Sequence, residues 1–568
     1  MFPANVMVVL FCALLLLSLI LRWLLLPKPI PGIPFNRQSA NRITGDNPDL
    51  KKAGRMRSWL RDQFTIHNSP IVQVFVAPFG KPWVLVSDFT EAYDIMTRRT
   101  KEFDRSSLTT DSFGGVMPSS HINMKSADPQ FRHNKQLVRD LMTPVFLNEV
   151  SAPKVYEHLV SLVELWSLKT RYADGAPFRA DLDVFMVALD ITMALVLGFP
   201  REKSMVTKQI ADIKIHSQQT SSHQQGGTFS FSSLPLDPEL DACVYLINSI
   251  GIAFQSPLPS VTNWLYLHKP RSRRALSLKR RLIEESIRRG LERTEGQDAA
   301  EKMKPRCAVD QVLLREIDGA RRCGVKPDFH KRAIYDELFG FIVGGHDTTF
   351  TTIAWSVKYL ARYQRVQSRL RDHLHAAHAS ARSGKRLPTV SEITEARIPY
   401  LEAVTEEIFR HSHIVPVVLR EALVDTQILG YSIPRGTQVF FLSNAQSYMQ
   451  QAFEIDEQRR SESGKLSKDR FGVWQAGDVA GFFPERWLEK KDKGEVFNPK
   501  AGPNLPFGAG PRACFGRRLA YLEMSVVLTM LVWRFEFQEM GEQLNNFEVV
   551  DRATEVPRDC YVKLRMLE

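Results

Sequence analysis

The chain reads as mainly α with a small β region, an α+β fold in one large unit behind an N-terminal anchor. Three observations predict this. From Asp88 onward most of the chain reads as helical. β-branched and aromatic runs are confined to short stretches, at 71–76, 83–86, 428–437 and 561–564. No Ser/Gly-rich linker splits the 568 residues into comparable halves, and a hydrophobic content of 44% supplies a large core.

Charge and cysteine usage narrow the function classes. The net charge is +12, yet basic residues are scattered among acidic ones and no nucleic-acid motif appears. That excludes a nucleic-acid binder and points to an acidic protein partner or an anionic membrane surface. The six cysteines are widely spaced with no framework pattern, as suits a reducing compartment.

Residues 6–26 are a nearly unbroken apolar run, interrupted chiefly by Arg22. A bilayer core of ~30 Å needs about 20 helical residues, so the run can span one. A cleaved signal peptide would want basic side chains before the run and a small-residue cleavage site, and neither is present. Positive charge comes after it instead, at Arg22, Lys28 and Arg37, which predicts a signal anchor with its N-terminus in the lumen and the rest in the cytosol. Pro27, Pro29, Pro31 and Pro34 then stop the helix, because proline lacks the N–H and fixes φ. The domain plan is an anchor over 1–26, a proline-rich hinge and lead-in over 27–70, and the main domain over 71–568.

The runs at 71–76 and 83–86, with Pro78-Phe79-Gly80-Lys81 between them, predict a β-hairpin. Phe131-Arg132-His133-Asn134-Lys135 opens a helix that ends before Pro144. Residues 216–233, rich in Ser, Gln and Gly, read as a mobile loop. Residues 271–293 are strongly basic with Leu and Ile at helical spacing, which predicts a helix with a solvated face; a membrane-surface contact is the second reading.

Residues 336–360 predict a long helix carrying Gly344-Gly345-His346-Asp347-Thr348-Thr349. Glycine inside a helix costs about 1 kcal/mol, so the pair needs a local reason, of which a simple kink is the ordinary one. Residues 399–410 predict another helix, with Glu407 and Arg410 at i, i+3 on one face. Most such pairs are solvated, and this one gains meaning only beside Phe483-Pro484-Glu485-Arg486-Trp487 further on. Residues 414–419 are apolar and expected to line a pocket.

The densest signal is Phe507-Gly508-Ala509-Gly510-Pro511-Arg512-Ala513-Cys514-Phe515-Gly516, a lone cysteine at the end of a Gly/Pro-rich turn directly before a helix. Backbone N–H groups at a helix start favour an anion, and Arg512, Arg517 and Arg518 are expected to lower the thiol pKa further. Gly508 and Gly510 permit the tight turn, and Gly516 lets a flat ligand approach the backbone. A single cysteine is more often an inert buried residue. Zinc is disfavoured because no second Cys or His stands nearby at ligand spacing. The glycines fit neither G-x-G-x-x-G nor a G-K-[ST] phosphate loop.

The full pattern F-G-x-G-x-R-x-C-x-G resembles the haem-binding loop of the cytochrome P-450 family. The resemblance runs from about Ile71 to the C-terminus, with four motifs in the family's order. It implies that family's fold, with haem b (iron protoporphyrin IX) between the long helix over 336–360 and the cysteine loop. Cys514 would be the axial thiolate. Arg512 and Arg420 would pair with haem propionates, Phe507 would pack beside the sulfur, and Gly508 and Gly516 would shape the loop. Lys135 and Phe131 stand where the family's W-x-x-x-R helix has Arg and Trp; an ammonium can pair with a propionate but lacks the bidentate fork.

Asp347 and Thr348 fall on the acid–alcohol pair that delivers protons during O2 activation, and a mid-helix Thr bonding back to a carbonyl would help to open a groove there. Glu407, Arg410 and Arg486 match a buried Glu-Arg-Arg cluster whose role is structural. Residues 450–478 are longer and more polar than the family usually has there, and read as a surface insertion. Phe339, Ile342, Val343, Val415 and Val417 are the expected apolar pocket lining.

The implied function is a membrane-anchored haem-thiolate monooxygenase that inserts one atom of O2 into a small apolar organic substrate. The style is similar to filamentous-fungal members, many of which tailor secondary metabolites. No flavin or nicotinamide motif is visible, so NADPH electrons would arrive through a separate NADPH-cytochrome reductase. That partner would dock on a basic face near Cys514, with Arg132, Lys135, Arg517 and Arg518 as candidates. The implied location is the endoplasmic reticulum membrane, single-pass, with the catalytic domain cytosolic. Two rivals are an O2-independent haem-thiolate isomerase or dehydratase, against which Asp347-Thr348 argues, and a non-catalytic membrane haem sensor.

Overall fold

The computed structural model describes residues 4–567 apart from 78–79, 217–223, 226, 296–303, 476 and 493. Helix α1 (Ala4–Leu25) is apolar over most of its length, with Arg22 in its last turn, and its Met7–Leu25 stretch is the one span among the described residues long and apolar enough to cross a membrane. The prolines end it as expected. The lead-in beyond them is tied down: Gln73 Nε2 donates to Ile30 O and Ile33 O at 2.8 Å each, and Ile30 and Ile33 are buried. It therefore shares the core of the sheet that starts at residue 71.

Helix α2 (Met56–His67) buries Trp59, Leu60 and Phe64 and ends at Asn68, which takes the left-handed conformation. Strands β1 (Ile71–Val74) and β2 (Trp83–Val86) form the expected hairpin, buried at every position; the tip at 78–79 lies outside the described residues. Helix α3 (Phe89–Thr97) starts where the Asp88 carboxylate accepts from Glu91 N at 2.7 Å. Strand β3 (Phe103–Arg105) comes next. Helix α4 (Pro129–Val138) begins two residues before Phe131 because Asp128 caps it and Pro129 takes the first turn, where proline's missing N–H costs nothing.

Helix α5 (Asp181–Leu197) is apolar nearly all round and almost wholly buried. Within 216–233 the described residues include two short strands, Gln224–Gln225 and Thr228–Phe229, so that stretch is not wholly a loop; residues 217–223 and 226 lie outside the described residues. Helix α6 (Pro270–Glu295) carries the basic run with one solvated face, and buries Ala275, Leu282, Ile283 and Ile287 on the other.

The longest helix is α7 (Arg332–Arg362), followed by α8 (Pro399–Ser412), β4 (Val417–Ala422), β5 (Gln438–Leu442), α9 (Arg517–Arg534), β6 (Val549–Asp551) and β7 (Glu555–Pro557). The main sheet has five strands in the order β1-β2-β5-β4-β3. Strand β5 runs parallel to β2 and antiparallel to β4, and β3 closes the edge with Arg105 opposite Arg420. Helices α5 and α7 pack closely, since a Cβ on Gly345 would stand 3.2 Å from Thr192 Oγ1.

The polar stretch before Pro484 is stitched down at several points. Both terminal nitrogens of Arg460 bond Asp88, at 2.6 and 3.0 Å, and Ser463 Oγ donates to Asp94 at 2.7 Å. Phe471 packs edge-on against Phe89 and Tyr93, each with centroids 4.9 Å away. Trp474 Nε1 donates to Pro503 O at 3.2 Å, just upstream of the cysteine loop.

Candidate functional site

A cavity of about 540 Å³ runs from Met56 and Arg57 on α2, past Gly344–Thr348 on α7, to the loop that carries Cys514. Val343, Val415 and Val417 line it as expected. Phe339 and Ile342 do not: both are fully buried, because their face of α7 turns into the core, where Lys279 Nζ of α6 sits 4.6 Å over the Phe339 ring.

The cysteine loop is held by its backbone. Gly508 and Gly510 have φ of +62° and +70°, in the region that glycine enters without strain. Gly510 also packs hard on α3, where a Cβ would lie 2.0 Å from Met96 O. Cys514 N donates to Phe507 O at 2.8 Å, and Phe507 stands edge-on to Phe409 at 5.0 Å. The Cys514 side chain is open to the cavity. Burial pushes its thiol up, and the N–H groups of Gly516 and Arg517 with the Arg517 charge offset this only in part. The expected net lowering is thus not found. Arg512 turns to Ser126 Oγ, at 2.9 Å, and Arg518 donates to Met142 O, at 3.2 Å.

On the facing wall, Thr348 Oγ1 donates back to Gly344 O, and nothing lies within 4 Å of where a Gly344 Cβ would be. That leaves a groove on the cavity side of α7. Asp347, 8% exposed, bonds across to the β6–β7 turn: its Oδ2 accepts from Thr554 Oγ1 at 2.7 Å. The two neighbours on α7 therefore sit side by side without bonding each other's side chain. The next residue, Thr349, donates to Glu523 Oε2 on α9 at 2.9 Å. Burial raises the Glu523 carboxyl to about 7 against that bond.

The opposite rim is cationic. Arg512 lies 4.0 Å over the Phe131 ring, with Asp104 Oδ1 at 3.4 Å, and also donates to Met124 O. The cross-strand register sets Arg105 beside Arg420, and the Arg105 Nε is buried without a partner. Burial and then the Arg512 charge lower the Arg105 and Arg420 guanidiniums to about 9 and about 10. Lys135 lines the cavity too, and its Nζ donates to Pro511 O at 3.4 Å.

Three arginines and a lysine against one aspartate make a rim that lacks negative charge. An anionic macrocycle with carboxylate arms fits it: the orphaned Arg105 Nε wants an acceptor, the glycine-floored groove admits a flat group, and the sulfur stands ready as a ligand. Arg105 and Asp104 carry no sequence signal, since only the β3–β4 register brings them here. Glu523 and Thr554 were likewise unreadable, being partners supplied by distant segments.

Behind the loop, Glu407, Arg410 and Arg486 come together as the resemblance implied. Arg410 reaches Glu407 at 2.8 and 2.9 Å, and Arg486 Nε reaches it at 3.2 Å. Trp487 Nε1 at 2.8 Å and Phe483 N at 2.9 Å add two donors. Burial would raise the Glu407 carboxyl, but its bonds to His411 and Arg410 outweigh this and hold it well below the usual carboxylate range.

Comparison with known proteins agrees with this geometry. The sequence model of the family described as cytochrome P-450 matches residues 63–455 and 478–552. A cytochrome P-450 monooxygenase of Pestalotiopsis microspora is 36% identical, covering 98% of both chains. The cytochrome P-450 monooxygenase TRI13 of Fusarium sporotrichioides is 33% identical, again covering 98% of both. A crystal structure of a cytochrome P-450 superposes with a TM-score of 0.66 at 18% identity, covering 95% of this chain and all of that one.

Proposed function

The chain belongs to the cytochrome P-450 family and is a haem-thiolate monooxygenase, and we propose that its substrate is a small apolar organic compound, a secondary metabolite. The observation that supports the reading is the largely apolar cavity, with the Cys514 sulfur at one wall and the Gly344–Thr348 groove at the other. Such a site binds by burial and orients by a few polar groups.

Haem, when bound, supplies the redox chemistry that activates O2. The chain's own residues do the rest. Cys514 offers its sulfur as the iron ligand, and the N–H groups of Gly516 and Arg517 hold negative charge on it. Arg105, Arg420, Arg512 and Lys135 neutralise the carboxylate arms. Asp347, supplied with a hydrogen bond by Thr554, and Thr348, supplied with one acceptor by Gly344 O, hold and move protons at the groove. Glu407, Arg410 and Arg486 keep the core behind the loop rigid.

Electrons come from NADPH through a separate reductase docking on the exposed Arg132, Arg517 and Arg518. The anchor over 1–26 holds the enzyme on the endoplasmic reticulum membrane with the domain over 71–568 in the cytosol, the 27–70 segment joining them.

The deciding experiment is the difference spectrum of the reduced protein with and without carbon monoxide, beside Cys514→Ser. A strongly red-shifted Soret band in the wild type, lost in the variant, is expected. An imidazole-like spectrum that the substitution leaves unchanged would remove Cys514 as the ligand. Deleting residues 1–26 should move the protein from the membrane pellet to the supernatant.

A further inference from the structure

Away from the cationic rim and the Glu407 cluster, one more guanidinium lines the cavity. Arg57 stands in the first turn of α2, and its Nη2 donates to Arg552 O and Ala553 O at 2.9 Å each, on the turn between β6 and β7. That pins the side chain. Its Nη1, however, is buried and has no hydrogen-bond partner. A buried donor left unpaired is costly, and native structures seldom keep one without a reason.

The acids around it do not answer the need. Asp551 and Glu555 are engaged by Arg55, at 2.8 and 3.8 Å, and Asp347 accepts from Thr554. Their fields still act on Arg57 and offset its charge. What the site lacks is therefore an acceptor atom, charged or neutral. Its neighbours along the cavity wall, Met56, Leu60 and Ala553, offer no side-chain acceptor oxygen.

We propose that Arg57 is a specificity-determining residue that donates its Nη1–H to an acceptor oxygen, carbonyl or carboxylate, on one end of an otherwise apolar substrate. The proposal rests on the reading of this cavity as the substrate site. It narrows the substrate class from any apolar compound to one carrying such an oxygen at a fixed distance from the oxidised carbon. A site built to hydrogen-bond one group discriminates against analogues that lack it.

The test compares naphthalene, 2-acetonaphthone and 2-naphthoate by equilibrium dialysis against the holoenzyme. The ketone, the acid or both should bind the wild type at least about tenfold tighter than naphthalene, about one hydrogen bond to a charged donor. Arg57→Met should erase that preference while leaving naphthalene affinity unchanged, with the thermal midpoint lowered by the loss of the bonds to Arg552 O and Ala553 O, and Arg57→Lys should restore part of it. A preference for the acid assigns a carboxylate, and one for the ketone a neutral oxygen. Equal binding of all three probes to the wild type would overturn the proposal, as would a parallel loss of all three in both variants. Failure of the monooxygenase reading shows separately, as a missing red-shifted carbon monoxide band in the wild type.

Discussion

Glu407→Ala should leave the protein unable to keep its haem. Five N–H donors converge on this carboxylate, two from Arg410 and one each from Arg486, Trp487 and Phe483, with His411 Nε2 beside them at 3.3 Å. Net bonds of about 0.5–1.5 kcal/mol each give roughly 2.5–7.5 kcal/mol for the five. Breaking a buried ionic cluster by removing one member costs roughly 3–5 kcal/mol, inside that range. The guanidiniums left behind are only 1% and 6% exposed, so water cannot replace the lost acceptor without opening the core. Against a total stability of about 5–15 kcal/mol, the loss is roughly a fifth or more. The assay is the haem-to-protein ratio of freshly purified variant, with the guanidinium midpoint followed by the Soret band. A fully loaded variant losing less than about 1 kcal/mol would refute the argument. The pH dependence supplies a second check. The folded carboxyl titrates below its unfolded value of about 4.3, so its contribution is whole above that pH and lost as pH falls below it. Acid unfolding of the wild type should be correspondingly steeper than that of the variant.

The site yields three further outcomes. Thr348→Ala should retain haem but release hydrogen peroxide in place of product, measured as peroxide per NADPH consumed; full coupling would remove Thr348 from proton delivery. Arg105→Gln should weaken haem retention by roughly 10–150-fold, the worth of a charge-assisted bond, as seen by haem transfer to apomyoglobin; unchanged transfer would mean that the orphaned Nε faces nothing. Glu523→Gln addresses a carboxyl raised to about 7, so stability is lost as pH rises from about 4.3 to about 7 while only the unfolded state ionises. The variant should gain roughly 1–3 kcal/mol over the wild type at pH ~8 and little at pH ~5. Thermal midpoints at the two values settle it, and an equal gap at both would reject the assignment.

How much was legible depended on whether a residue's partners lie near it in the chain. Cys514 with its glycines, Glu407 with Arg410, and Asp347 with Thr348 are local patterns, and the structure finds them where the spacing put them. The 450–478 stretch, read as an insertion from its polarity, takes in residues 456–477, an internal gap between the two parts that the family model matches. Long-range pairings were not legible. Arg105 reaches the rim only through its register with Arg420, and Thr554 meets Asp347 from 207 residues away. Phe339 and Ile342 were misplaced because helical spacing gives a face but not which neighbour it meets. The thiol failed differently: Arg512 and Arg518, adjacent in sequence, spend their N–H groups on other oxygens.

The stitched segment before Pro484 has a thermodynamic character at odds with its surface position. Lengthening a loop is cheap, about 0.6 kcal/mol per doubling, so an excursion of this size needs little to stay closed. Here it is closed by the buried Arg460–Asp88 pair, by Phe471 against α3, and by Trp474, whose ring lies 5.0 Å from the Arg486 guanidinium. Trimming it would therefore strip a wall from the ionic core and a brace from α3, whose end bears on Gly510. An engineer shortening this enzyme should regard residues 456–477 as part of its keel.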